Sequence, residues 1–142
     1  MPLIIRLTRL FVCLSNALQP LVLLLLRVWM AKVFLSSGLV KISDFSNTVA
    51  LFESEYAVPF IPPYFAAVSA TFFELTCPVL LMLGLGARFA CLPLLAMTAV
   101  IHFTYDQNIQ HAYWAMLLLV ILTFGAGKLS LDQFINRKFG KS

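Results

Sequence analysis

Residues 27–45 read RVWMAKVFLSSGLVKISDF, and their reading decides the fold. The stretch continues an apolar run, yet it carries Arg27 and Lys32. A charge at the centre of a bilayer costs about 2.5–3.5 kcal/mol even on a forgiving insertion scale. Cations in such a segment therefore demand partners inside a packed bundle. The composition of the 142-residue chain points to an apolar solvent: 61% of residues are hydrophobic and 11% are charged. Soluble domains carry roughly 25% charged residues, and a domain of this size cannot hide so much apolar surface. The expected class is an all-α, polytopic membrane four-helix bundle, forming one domain over residues 1–142.

Working outward, four stretches approach bilayer length: about 21–40, 63–85, 89–105 and 112–127. A helix needs about 17–25 residues to cross about 30 Å of hydrocarbon. Backbone facing lipid must satisfy its own hydrogen bonds, so these runs are helices. They lack the alternation of a barrel strand. Residues 3–18 differ, because Arg6, Arg9, Cys13 and Asn16 fall near one helical stripe. They predict an interfacial amphipathic helix, with Pro20 in the first turn of the next helix. Their charges interrupt the apolar part and no small-residue cleavage site follows, unlike a signal peptide.

Charge sets the orientation. With both termini cytoplasmic, seven Lys and Arg residues lie inside (Arg6, Arg9, Arg88, Lys128, Arg137, Lys138 and Lys141), and Lys41 alone lies in an outer loop. That bias follows the positive-inside rule. The formal net charge of +4 reads as topology and lipid attraction. No basic patch interleaved with stacking aromatics suggests nucleic acid. The first outer connection contains NTVALFESEYAV, a short helix capped by Ser46 or Asn47, which VPFIPP then breaks. GLGAR makes the tight turn between the second and third spans, and residues 128–142 form a basic tail.

Glu74 lies near the middle of the second span, about 16 Å from its inner end; Arg27 and Lys32 lie about 10 and 18 Å up the first. Matching depth predicts that Glu74 pairs with Arg27, whose guanidinium binds a carboxylate at two points, or with Lys32. Small residues mark the facing sides: Arg27, Ala31 and Gly38 on the first span, and Ala67, Ala70, Thr71 and Glu74 on the second. The bland alternative is that the pair only pins helix register. Its functional counterpart is a proton relay or a ligand-binding carboxylate.

A second polar group gathers at the outer ends of the spans: Lys41, Asp44, His102, Tyr105, Asp106, His111, Tyr113 and Trp114. Imidazoles there can move protons near neutral pH or hydrogen-bond a quinone carbonyl, with aromatic rings stacking on the quinone. An aromatic belt would place Tyr and Trp in the same region without a ligand. Two histidines nine residues apart make a poor metal site. Cys13, Cys77 and Cys91 make no haem attachment or cysteine cluster, and they read as small apolar residues.

The collective pattern resembles the DoxX/DoxD family of small four-helix membrane proteins. The matching positions are Arg27, Gly38 and Lys41; then Glu74, Gly84, Leu85, Gly86 and Arg88 in FFELTCPVLLMLGLGARFA; then His111, Tyr113, Trp114, Gly127, Ser130 and Asp132 in HAYWAMLLLVILTFGAGKLSLD. Lys32 lies outside the pattern. The resemblance implies a bacterial inner-membrane bundle linked to quinone redox chemistry, since some relatives look like subunits of a thiosulfate:quinone oxidoreductase or a terminal quinol oxidase. Others look like partners of soluble redox enzymes. The expectation is a quinone-linked subunit without metal or haem of its own. In it Glu74 and His102 do proton work, and Arg27, Lys41, Tyr105, His111 and Trp114 contact the ligand. The alternative is a non-catalytic scaffold anchoring a soluble redox enzyme. Four short helices leave surface for lipid or for a second copy in a homodimer.

Overall fold

The structure is a computed structural model and describes residues 2–56, 58–105 and 107–139. Among the described residues six α-helices follow one another: α1 (Pro2–Ser43), α2 (Phe45–Leu51), α3 (Pro63–Leu83), α4 (Ala87–Thr104), α5 (Ile109–Phe124) and α6 (Leu131–Phe139). A single wider helical turn, Phe52–Tyr56, extends α2. Three helices among the described residues, α1, α3 and α4, are long and apolar enough to cross a membrane. At 16 residues, the apolar α5 is shorter. The protein is an all-α polytopic membrane protein.

The core joins four helices. Met30, Ala31 and Phe34 come from α1, Cys77 and Leu81 from α3, Ala90, Cys91 and Leu94 from α4, and Leu118 and Ile121 from α5. Cys77 and Cys91 are free thiols packed among these apolar side chains, as expected of small hydrophobes. Outward, Trp29, Phe72, Phe89, Phe103 and Met116 are exposed. That inversion of the soluble pattern suits side chains that meet acyl chains.

The N-terminal expectation needs correction. Residues 3–18 do not form a separate helix, because α1 runs unbroken from Pro2 to Ser43 with Pro20 inside it. Proline removes one N–H and crowds the carbonyl four residues earlier. α1 has no glycine before Gly38 to open a turn, so the ladder closes again beyond Pro20. Residues 3–19 are exposed throughout.

The connection between α1 and α3 also differs from its expected form. Asp44 caps α2, accepting the Asn47 backbone N–H at 3.1 Å, where Ser46 or Asn47 was expected. A carboxylate three residues before a free N–H is an ordinary N-cap. Phe60, in the following VPFIPP segment, holds φ 69°, a left-handed conformation rare for a bulky residue. The GLGAR turn forms as expected. Gly84 and Gly86 both take left-handed φ; Gly84 N–H bonds the Leu81 carbonyl and Leu85 N–H the Leu80 carbonyl, closing the end of α3.

Candidate functional site

α1 and α3 pack antiparallel along their small residues. Gly38 lies so close to α3 that an added Cβ would stand 3.0 Å from Glu74 Cβ and 3.1 Å from its carbonyl oxygen. Pro78 offers no N–H to that same carbonyl, and Gly38 covers it. Ala31, Ala67, Ala70 and Thr71 are buried along the seam, as the small-residue pattern expects.

Glu74 is buried, with a side chain 1% exposed, and it forms an ion pair with Lys41. Lys41 Nζ donates to Oε2 at 2.7 Å and to Oε1 at 2.9 Å. It also donates to Ser37 Oγ at 2.8 Å, and Ser37 in turn donates to Oε1 at 3.3 Å. Ser37 and Lys41 lie one helical turn apart, so both side chains meet α3. The expected partners, Arg27 and Lys32, are elsewhere. Lys32 is exposed. Arg27 is fully buried near the opposite end of α3, donating Nη1 to the Leu81 carbonyl at 3.2 Å and Nη2 to the Leu129 carbonyl. Depth reckoned from Pro20 was too coarse. The carbonyl end of α3 and the connection before α6 present oxygens that attract a cation, and Arg27 reaches these rather than Glu74. Lys41 escaped the sequence reading as a partner because it was placed in an outer loop. α1 in fact runs two residues past it.

Beside the ion pair is a cleft of about 250 Å³, with Lys41 and Glu74 in its lining. Phe52, Tyr56, Phe73 and Met97 supply most of its bulky wall. Ser69 of α3 and Ala96 of α4 also line it and are exposed, so the cleft opens on the flank of the bundle. Tyr56 packs on Tyr105 with ring centroids 5.0 Å apart. Burial, helped by Tyr105, Glu74 and Glu55, pushes the Tyr56 hydroxyl above its ordinary pKa. It is a protonated donor at neutral pH.

The histidines form a separate group. His102 and His111 have ring centroids 6.0 Å apart, and His111 stands 5.3 Å from Trp114, which meets Phe34 at 6.1 Å. His102 Nδ1 is buried without a hydrogen-bond partner among the described residues. Neither histidine lines the cleft. Tyr105 reaches it only through Tyr56, and Tyr113 is exposed. Asp106, expected in this outer group, lies outside the described residues. No group of three metal-ligating side chains occurs among the described residues.

A buried ion pair heading a cleft on the side of apolar helices defines a polytopic membrane protein with a polar centre inside its bundle. The chain belongs to the DoxX family, which it matches over residues 22–107, more than half its length. It is also 34% identical over 129 residues to an uncharacterized protein of Haemophilus influenzae, covering 82% of this chain and 85% of that relative. No solved structure matches it.

Proposed function

We propose that the cleft beside Lys41 and Glu74 receives the ring of a quinone from the bilayer, and that the protein serves as the membrane subunit of a quinone-linked oxidoreductase. The observation that carries this reading is the placement of an ion pair at the back of an aromatic cleft open on the bundle flank. Ligand sites are mostly apolar with a few convergent polar groups. A volume of about 250 Å³ suits one substituted ring, with its isoprenoid tail left outside among acyl chains. A ring carbonyl would accept one of the Lys41 N–H groups now given to Ser37 or Glu74. Tyr56, protonated and on the same wall, is a second donor. Reduction to the quinol takes two electrons and two protons; the electrons come from a partner enzyme, and Lys41–Glu74 passes protons. The charge bias supports an orientation with both termini cytoplasmic, and the family likeness supports a bacterial inner membrane as the setting.

Photolabelling with an azido-quinone in vesicles tests the proposal. Label is expected on α3 and α4, reduced severalfold by Ala96→Trp, which fills the cleft mouth. Label elsewhere, or indifferent to Ala96→Trp, contradicts it.

A second reading is that the protein is a scaffold anchoring a soluble redox enzyme. The complete set of α1 partners around Glu74 favours it, because such a pair fixes helix register. Glu74→Gln separates the two. Normal expression with lost quinone-linked activity supports the site; intact activity after Glu74 and His102 are both replaced supports the scaffold.

A further inference from the structure

The opposite end of the bundle holds a larger concavity, about 620 Å³, between the ends of α4 and α5, the middle of α1, and α6. Two cations stand on its rim. Arg88 is exposed and, among the described residues, gives a single hydrogen bond, Nη2 to the Thr123 carbonyl at 3.3 Å. Its guanidinium lies against Gly125, where an added Cβ would stand 3.1 Å from Nε. The rest of the donor fork stays available. Lys128 is exposed, and no hydrogen bond or ion pair engages it among the described residues. One carboxylate, Asp132, lies on the wall, but its Oδ1 accepts Gly86 N–H at 2.8 Å. The Asp132 N–H bonds the Gly84 carbonyl at 3.1 Å, so Asp132 anchors α6 to the α3–α4 turn.

The remaining walls carry both characters. Leu23, Phe89 and Phe124 are apolar, and Phe89 and Phe124 are largely exposed. Gln133 and Asn136 of α6 bring amides. α6 itself exposes Leu131, Phe134, Ile135 and Phe139 beside Arg137 and Lys138. A short amphipathic helix of that kind lies in a membrane interface. The concavity therefore sits at headgroup level, where the apolar helices end and α6 begins.

We propose that this concavity is a binding site for an anionic phospholipid of the leaflet at the basic end. Its phosphodiester lies between Arg88 and Lys128, its headgroup hydroxyls meet Gln133 and Asn136, and its acyl chains run along Phe89 and Phe124. Basic pockets beside membrane helices recognise anionic headgroups, and a guanidinium fork matches phosphate oxygens at two points. A water-soluble phosphate would leave the aromatic wall unused. The site is independent of the quinone cleft, which occupies the other half of the bundle.

Native mass spectrometry of protein released from nanodiscs of phosphatidylcholine with a minority of phosphatidylglycerol reads the outcome. Wild type is expected to retain phosphatidylglycerol in preference to phosphatidylcholine. Arg88→Gln and Lys128→Gln each reduce retention about fivefold. Asn136→Trp fills the concavity without changing charge and reduces it as well, which keeps the test valid if Arg88→Gln misfolds. Arg6→Gln/Arg9→Gln removes two cations elsewhere on the exposed chain and leaves retention unchanged. Equal loss in that control, or no loss with Lys128→Gln and Asn136→Trp, overturns the proposal. Displacement of the lipid by glycerol phosphate at comparable concentration assigns the site to a soluble phosphate and overturns it too.

Discussion

Lys41 of α1 grips both oxygens of the Glu74 carboxylate on α3, at 2.9 and 2.7 Å. This contact resolves the cost of placing an acid in the middle of an apolar helix. Removing one partner from a buried pair leaves an uncompensated charge, a loss of about 3–5 kcal/mol. Lys41→Met is therefore expected to destabilise the protein strongly in detergent unfolding. The combined Lys41→Met/Glu74→Gln variant is expected to recover much of that loss. Additive costs in the double-mutant cycle would show that the two residues are not coupled.

Gly38 is expected to tolerate no larger side chain. A Cβ there meets Glu74 Cβ at 3.0 Å and its backbone at 3.1 Å, so Gly38→Val must push α1 and α3 apart. Overpacking of this kind costs about 1–3 kcal/mol, read as a lower midpoint of thermal unfolding. The separation also stretches the Lys41–Glu74 pair, so Gly38→Val should weaken any ligand bound beside it.

Arg27 is expected to behave as a structural clasp. It joins the end of α3 to the segment after α5 through the Leu81 and Leu129 carbonyls. A hydrogen bond from a charged donor is worth about 1.5–3 kcal/mol, so Arg27→Met should lower stability by that order or more. Arg27→Lys should restore only part of it, because an ammonium lacks the fork that spans two carbonyls. Unfolding midpoints of the three proteins check the ranking.

The continuity of α1 through Pro20 can be measured directly. Spin labels at Phe11→Cys and Trp29→Cys, in a Cys13→Ser background, should lie about 27 Å apart along an unbroken helix at about 1.5 Å per residue. A hinge at Pro20 that laid the first residues along the interface would give a clearly shorter distance.

Much of this fold was legible in the residues. Uninterrupted apolar runs located the helices of the bundle, and the glycines of GLGAR marked the turn between α3 and α4. The small residues around Gly38 and Ala70 showed which faces meet. Glu74 and Arg27 were correctly expected to be inside, since neither charge survives unpartnered in lipid. The pairing between helices was not legible. It depends on where α1 ends and on which carbonyls a helix terminus leaves free, and linear depth from Pro20 carries neither. The cleft was hidden for a similar reason: its wall comes from Phe52 and Tyr56, on the turn after α2, whose return onto α3 and α4 no periodicity announces.

The central claim is that the Lys41–Glu74 pair heads a ring-binding cleft open to the bilayer. The most direct test is equilibrium binding of a short-chain quinone to the purified protein in nanodiscs, comparing wild type, Ala96→Trp and Lys41→Met/Glu74→Gln. Saturable binding by wild type, weakened about tenfold or more in both folded variants, is the predicted result. Equal affinity in all three proteins, or no saturable binding to wild type, would contradict it.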